Sequence, residues 1–198
     1  MRPITHTREL RAGQPRHPGT IQTMKYQADF QHWVPFRLER VFLFFVNPEN
    51  LPRLMPPSTQ TRIEALRLLP PPPPPDGLQT SLPQIAGVGS EIEASFRVLP
   101  ALPFRRQWIA RIIEFEWNQH FADIQVEGPF KSWFHRHELS AETQTGTPGT
   151  RVRDRIEYEI GLGWLDPLAQ TWVRRQLRAT FAERAGILES LLRDGHRS

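Results

Sequence analysis

The sequence predicts an α+β fold: a curved antiparallel sheet of about six to seven strands wraps around a long C-terminal helix, with two short helices after the first strand. Two observations carry this. Segments of alternating polar and apolar residues follow one another through the middle of the chain with short connections, which favours antiparallel pairing. A single long amphipathic segment closes the chain, and no other element is large enough to cover one face of the sheet.

The first alternating segment is "YQADFQHWV" (26–34), where Tyr26, Ala28, Phe30, His32 and Val34 share a face and Pro35 ends the run. A short helix is expected over "RLERVFLFFVN", with Leu38, Val41, Phe42 and Phe45 at helical spacing. A second follows, with Asn47 as N-cap and Pro48 at the first helical position. Residues 60–69 read as a strand. The unbroken run Pro70 to Pro75 opens a Pro-rich surface insertion over 70–84, a stiff extended segment without ladder hydrogen bonds. In "SEIEASFRV" (90–98), Ile92, Ala94, Phe96 and Val98 face in. Strands are expected at 105–116, 120–127 and 131–140, then a turn-rich loop, "AETQTGTPGT".

"TRVRDRIEYEI" (150–160) alternates most cleanly. Arg151, Arg153, Arg155, Glu157 and Glu159 lie on one face, which must meet water. Asp154 is therefore turned inward with Val152, Ile156, Tyr158 and Ile160. In the last helix, Asp166 is the expected N-cap, Pro167 takes N1, and Gly195 is the expected terminator. Val173, Leu177, Phe181, Ala185, Leu188 and Leu192 make its apolar stripe.

At 198 residues the chain suits one domain, and roughly 70% burial of its unfolded surface leaves room for a core with an internal cavity. Residues 24–195 are expected to form that domain. Residues 1–23 read as a polar, disordered arm without a secretory h-region, and Met24 is an alternative candidate for the start because recognisable structure begins after it. There is no cysteine, which excludes disulfides, zinc–thiolate sites and cysteine nucleophiles. No apolar run approaches the roughly 18 residues of a membrane span; "VFLFFV" is far shorter. These features point to a cytoplasmic protein. The net charge of +4 raises nucleic acid or an anionic membrane as a partner, but the arginines are scattered, often beside Glu or Asp, and no basic cluster or stacking motif accompanies them.

The stretches "RVFLFFVNPENLPRLMPP", "FADIQVEGPFKSWFHRHEL" and "TRVRDRIEYEIGLGWLD" resemble the SRPBCC superfamily (START-like, helix-grip domains), and within it a bacterial ligand-binding, polyketide cyclase-like branch. Residues 25–190 match its architecture. The resemblance implies a hydrophobic cavity between sheet and helix that holds a lipid or other apolar small molecule. It implies no metal, no cofactor and no single chemistry, because the superfamily hosts binders, transfer proteins and a few enzymes.

The candidate site centres on "WFHRHEL". Trp133, His135, His137 and Leu139 share the inward face of their strand. Two hairpin registers with 150–160 are open: one sets His137 opposite Asp154 and Trp133 opposite Tyr158, the other sets His135 opposite Asp154. Either brings an imidazole to a buried carboxylate that needs a partner. His135, His137 and Asp154 are thus candidates for metal ligation, for acid/base catalysis, for ligand contact together with Trp133 and Tyr158, or for a structural network. Trp108 is a candidate cavity wall. Alternation in "FADIQV" sets Ala122, Ile124 and Val126 inward and turns Asp123 and Gln125 away, yet both match recurring positions of the resembling family; a β-bulge would reconcile the two. The expected function is binding of an apolar or amphipathic small molecule. The alternative is a cyclase- or dehydratase-like enzyme using the His–Asp pair, and the third is an interaction module using an arginine-rich surface.

Overall fold

The alternation of 150–160 is realised in full. In the computed structural model, which describes residues 24–78, 84–97 and 104–194, strand β7 (Thr147–Glu159) buries Val152, Asp154, Ile156 and Tyr158 and presents its arginines and glutamates to solvent. The outward arginines are paired within the sheet: Arg151 with Glu142, Arg153 with Asp29 and Arg155 with Glu138. Each exposed pair stabilises little, but together they neutralise the face that looked basic in sequence.

Around β7 the chain forms β1 (Lys25–Val34), α1 (Leu38–Val46), α2 (Leu51–Leu54), β2 (Arg62–Arg67), β3 (Glu91–Arg97), β4 (Arg105–Glu116), β5 (His120–Glu127), β6 (Ser132–Gln144) and α3 (Asp166–Asp194). The seven strands make one antiparallel sheet in the order β1-β7-β6-β5-β4-β3-β2. β2 to β7 form a meander, and β1 returns to the far side of β7. α1 and α2 close one end, and α3 crosses the concave face.

Asn47 caps as expected, its side chain accepting from the Glu49 amide at 3.0 Å, but what it caps is a 3-10 turn (Pro48–Asn50) that leads into α2. Asp166 behaves differently. Its carboxylate reaches backward to the Leu162 N–H at 2.6 Å, closing the turn ahead of α3 rather than capping forward. The turn-rich loop is also tighter than expected. β6 and β7 run through it to a two-residue turn at Thr145–Gly146, both at positive φ (46° and 80°), the geometry of a type I′ hairpin. Of the two registers open from sequence, the hairpin adopts the first: His137 faces Asp154 and Trp133 faces Tyr158.

The Pro-rich stretch is mostly exposed over 70–78 and is pinned where Trp117 Nε1 donates to the Pro72 carbonyl. The 1–23 arm, residues 79–83, Val98 and Gly195 lie outside the described residues. Among the described residues, no helix is long and apolar enough to cross a membrane.

The core has two lobes. Val41, Phe42, Val46, Leu54, Val152, Leu188 and Leu192 pack under α1 and α2. Trp133, Ile156, Tyr158, Val173 and Phe181 pack under the first half of α3. The space between the lobes is not filled.

Two glycines should respond oppositely to alanine. A Cβ at Gly149 would lie 2.4 Å from both Trp33 and the Val34 carbonyl, whereas at Gly186 it meets nothing within 4 Å. Gly149→Ala should cost on the order of 1–3 kcal/mol by overpacking. Gly186→Ala, within α3, should add about 0.5–1 kcal/mol through helix propensity. Urea unfolding midpoints of the two variants, moving in opposite directions, check this.

Candidate functional site

The sheet's pleat decides which side chains meet. β6 sends Trp133, His135 and His137 toward α3, and β7 sends Asp154 to the same side. Asp154 is 1% exposed and the two histidines 7% and 6%. One carboxylate oxygen serves both rings. His135 Nε2 donates to Asp154 Oδ1 at 2.9 Å, and His137 Nδ1 lies 2.7 Å from the same oxygen. The second approach is off the line of a ring N–H, so it is a close polar contact rather than an aligned hydrogen bond.

Aromatic rings hold the imidazoles. Phe121 stacks on His137 at 4.3 Å and 17°, the two histidine rings are 3.9 Å apart, and Phe181 meets His135 edge-on at 5.7 Å. With Asp154 taking one nitrogen of each ring, the other nitrogens, His135 Nδ1 and His137 Nε2, face Asp123 Oδ2 at 3.9 Å each.

Asp123 therefore points inward, against the alternation read from "FADIQV". Ala122 pairs with Glu114 and Arg136 on the outer side, and Val126 is 46% exposed. The phase of β5 is set by its pairing with β6, where Phe121 faces His137 and Asp123 faces His135, because cross-strand partners share a face. Two irregularities do occur against β4, one with the extra residue on β4 between Ile112 and Glu114 and one with Val126 extra on β5, but neither interrupts the pairing of β5 with β6. Gln125 has a different place. Its amide bonds both backbone groups of Phe130, so it braces the β5–β6 loop and is not among the cavity-lining residues. Tyr158 is 2% exposed and packs behind Trp133 and Phe130, also off the lining.

These groups form one wall of a cavity of about 530 Å³ between sheet and α3. Trp108, Phe130 and Trp133 supply an aromatic corner, with Trp108 and Trp133 edge-on at 5.1 Å. Leu162 and Trp172 line the cavity and are 55% and 46% exposed, which places its mouth at the start of α3.

Two polar neighbours carry no sequence assignment. His32, on β1, has a buried Nε2 without a hydrogen-bond partner among the described residues. Arg184, on α3, is 8% exposed and lines the cavity. A signal for Arg184 existed: Val173, Phe181, Arg184, Leu188 and Leu192 are buried, and Leu177 half-buried, at helical spacing, so the arginine occupies a core position of the stripe.

Burial governs the ionisation of the cluster. It pushes the Asp123 carboxyl up to about 6, against the pull of His135 and Arg184. Burial would also raise Asp154, but His137, His135 and Arg184 outweigh it and hold that carboxyl well below the usual carboxylate range. Burial lowers His32, His135 and His137, so all three are neutral near pH 7.

Asp123, His135 and His137 offer donor atoms within 4.8 Å of one another, the residue types of a metal site. Their spacing is wider than ligation needs. Bonds of about 2.0–2.1 Å to a tetrahedral ion bring donors to roughly 3.3 Å, and the neighbouring guanidinium opposes a dication.

The architecture recurs in solved structures. Norcoclaurine synthase from Thalictrum flavum is 15% identical, with a TM-score of 0.55 over 94% of this chain and 98% of that one. Ara h 8.0201 is 12% identical at 0.54, over 84% and 99%. A protein from Thermus thermophilus is 15% identical at 0.54, over 86% and 99%. Norcoclaurine synthase has also been crystallised with dopamine and hydroxybenzaldehyde. No protein-family model matches the chain, and no curated protein matches it. At these identities the likeness shows the fold alone, a helix-grip architecture.

The cluster sets two measurable outcomes. Asp154→Asn removes the charge that holds both histidines and should cost about 2–3 kcal/mol in urea unfolding. Stability should also fall with acid. The depressed histidines bind protons in the unfolded chain that the native protein refuses, so their contribution is present above the usual imidazole value and lost as pH falls below it. Asp123, pushed up to about 6, contributes in the opposite sense as it protonates. Three histidines outweigh one carboxyl, so Tm should drop between about pH 7.5 and about pH 5.5, and His137→Gln should flatten the slope.

Proposed function

We propose that this chain, a helix-grip fold, binds an apolar or amphipathic small molecule in the cavity between its sheet and α3. The observation that carries the reading is the cavity itself. About 530 Å³ of space is walled largely by apolar side chains, among them Trp108, Phe130, Trp133, Ile92 and Phe96, with the ionisable groups Asp123, His135 and His137 set together on one wall. This is the chemistry of a small-molecule site: a large apolar surface for affinity and a few placed polar groups for orientation. The ligand's body lies against the aromatic corner and its polar end meets the histidines. The small molecules seen with norcoclaurine synthase make a helix-grip cavity of this kind a reasonable host.

A second reading has its own support. Asp154 fixes a proton on one side of His135 and leaves Nδ1 as a lone pair facing the cavity, 3.9 Å from a carboxyl held near 6. A neutral base beside an acid that titrates near neutrality suits proton transfer in a cyclisation or dehydration. The arginine-rich surface is less favoured as an interaction face, because its outward arginines on β7 are already paired with carboxylates.

Native mass spectrometry of the purified protein should show a co-purified small molecule or uptake of an apolar dye at one per chain. Ala110, which lines the cavity, provides the control. Ala110→Phe should reduce dye affinity at least about tenfold while far-UV circular dichroism is unchanged. Undiminished binding by that variant would move the ligand out of this cavity.

A further inference from the structure

Arg184 has five N–H donors to satisfy and an always-charged head. It sits on the buried stripe of α3, between Phe181 and Leu188, and is 8% exposed. No hydrogen bond or ion pair satisfies its guanidinium among the described residues; its contact is the face of Phe181, 4.7 Å from the ring centroid. The nearby acids do not supply what is missing. Asp154 spends its Oδ1 on His135 and His137, and Asp123 faces those rings at 3.9 Å. Both attract Arg184 through space without touching it. Its nitrogens are not among the fully buried unpartnered atoms, so the head is open to the cavity, where water or a ligand must bond it. Asp123, His135 and His137 also converge in this cavity.

We infer that Arg184 is the recognition group for an anionic head on the ligand, and that the ligand class is an amphipathic carboxylate. The inference rests on the cavity-binding reading and sharpens it. A planar guanidinium fork matches the two oxygens of a carboxylate, and the pairing is strongest where water is excluded. Most of the remaining lining is apolar, so the remainder of the molecule is mainly hydrocarbon or aromatic. The two cavity-facing imidazole nitrogens and Asp123 flank the head, where they accept from a hydroxyl or water beside the carboxylate. Neutral apolar molecules of the same size satisfy the walls but leave the guanidinium unbonded, and this difference sets the specificity.

The test compares matched probes that differ only at the polar end: dodecanoate against dodecanol, and 2-naphthoate against 2-naphthalenemethanol. Dissociation constants come from displacement of a neutral fluorescent dye from the full chain. Wild type should prefer each acid over its alcohol by at least about tenfold. Arg184→Met should lose that preference, and Arg184→Lys, which keeps the charge without the fork, should keep part of it. Where the methionine variant fails to fold by circular dichroism, Arg184→Lys and Arg184→Gln read the same ratio. Equal binding of acid and alcohol by wild type, or an acid preference that survives in Arg184→Met, would overturn the inference while leaving the cavity reading in place. Failure of all four probes to displace the dye, with the dye itself bound as well by Ala110→Phe as by wild type, would instead overturn the cavity reading.

Discussion

One carboxylate oxygen organises the inner face of this protein. Asp154 Oδ1 lies within 2.9 Å of His135 and 2.7 Å of His137, and all three side chains are buried. The constraint behind it is simple. A strand whose other face carries three arginines and two glutamates has one orientation available, and that orientation turns an aspartate into the protein. A buried carboxylate must be bonded. The hairpin supplies the partners from the adjacent strand, and their remaining nitrogens then have to face the cavity. The polar spot, its tautomers and its direction all descend from the alternation of one strand.

Around that spot the protein accepts arrangements that a purely structural core avoids. Arg184 stands at a position of α3 where leucine would pack, and a space of about 530 Å³ lies beside it. Filling such a space with side chains would add stability, since cores are normally close-packed. A neutral imidazole pair, a carboxyl held near 6, a carboxylate held low and a guanidinium share one wall. Groups with such different environments, set close together in a cavity, support the proposed site by their cost as well as by their chemistry.

The strands and the long helix were legible because each is a local pattern: period two for β3 and β7, period near four for α3. His135, His137 and Asp154 were legible for the same reason. Asp123 was not, because the apolar alternation of Ala122, Ile124 and Val126 named the wrong face, and only the match to recurring family positions pointed inward. Gln125 shared that match, yet its amide is consumed by the Phe130 backbone. Tyr158 shared the inward face of β7 but is covered by Trp133 and Phe130. Facing inward and lining a cavity are different properties, and alternation reports the first.

By itself the sequence determined the order of elements, the inward aspartate and the pair of histidines that could reach it, because these follow from side-chain periodicity along single strands. It narrowed the hairpin to two registers. Tertiary structure chose between them, since the register depends on the two-residue turn at Thr145–Gly146 and on Trp133 meeting Tyr158. Tertiary structure also decided that Asp123 joins the cluster, through the pairing of β5 with β6, and that Arg184 enters the cavity without a hydrogen-bond or ion-pair partner among the described residues. Both are relations between elements distant in sequence. Pairing phase and the packing of a helix across a sheet depend on several strands at once, and no single segment contains them.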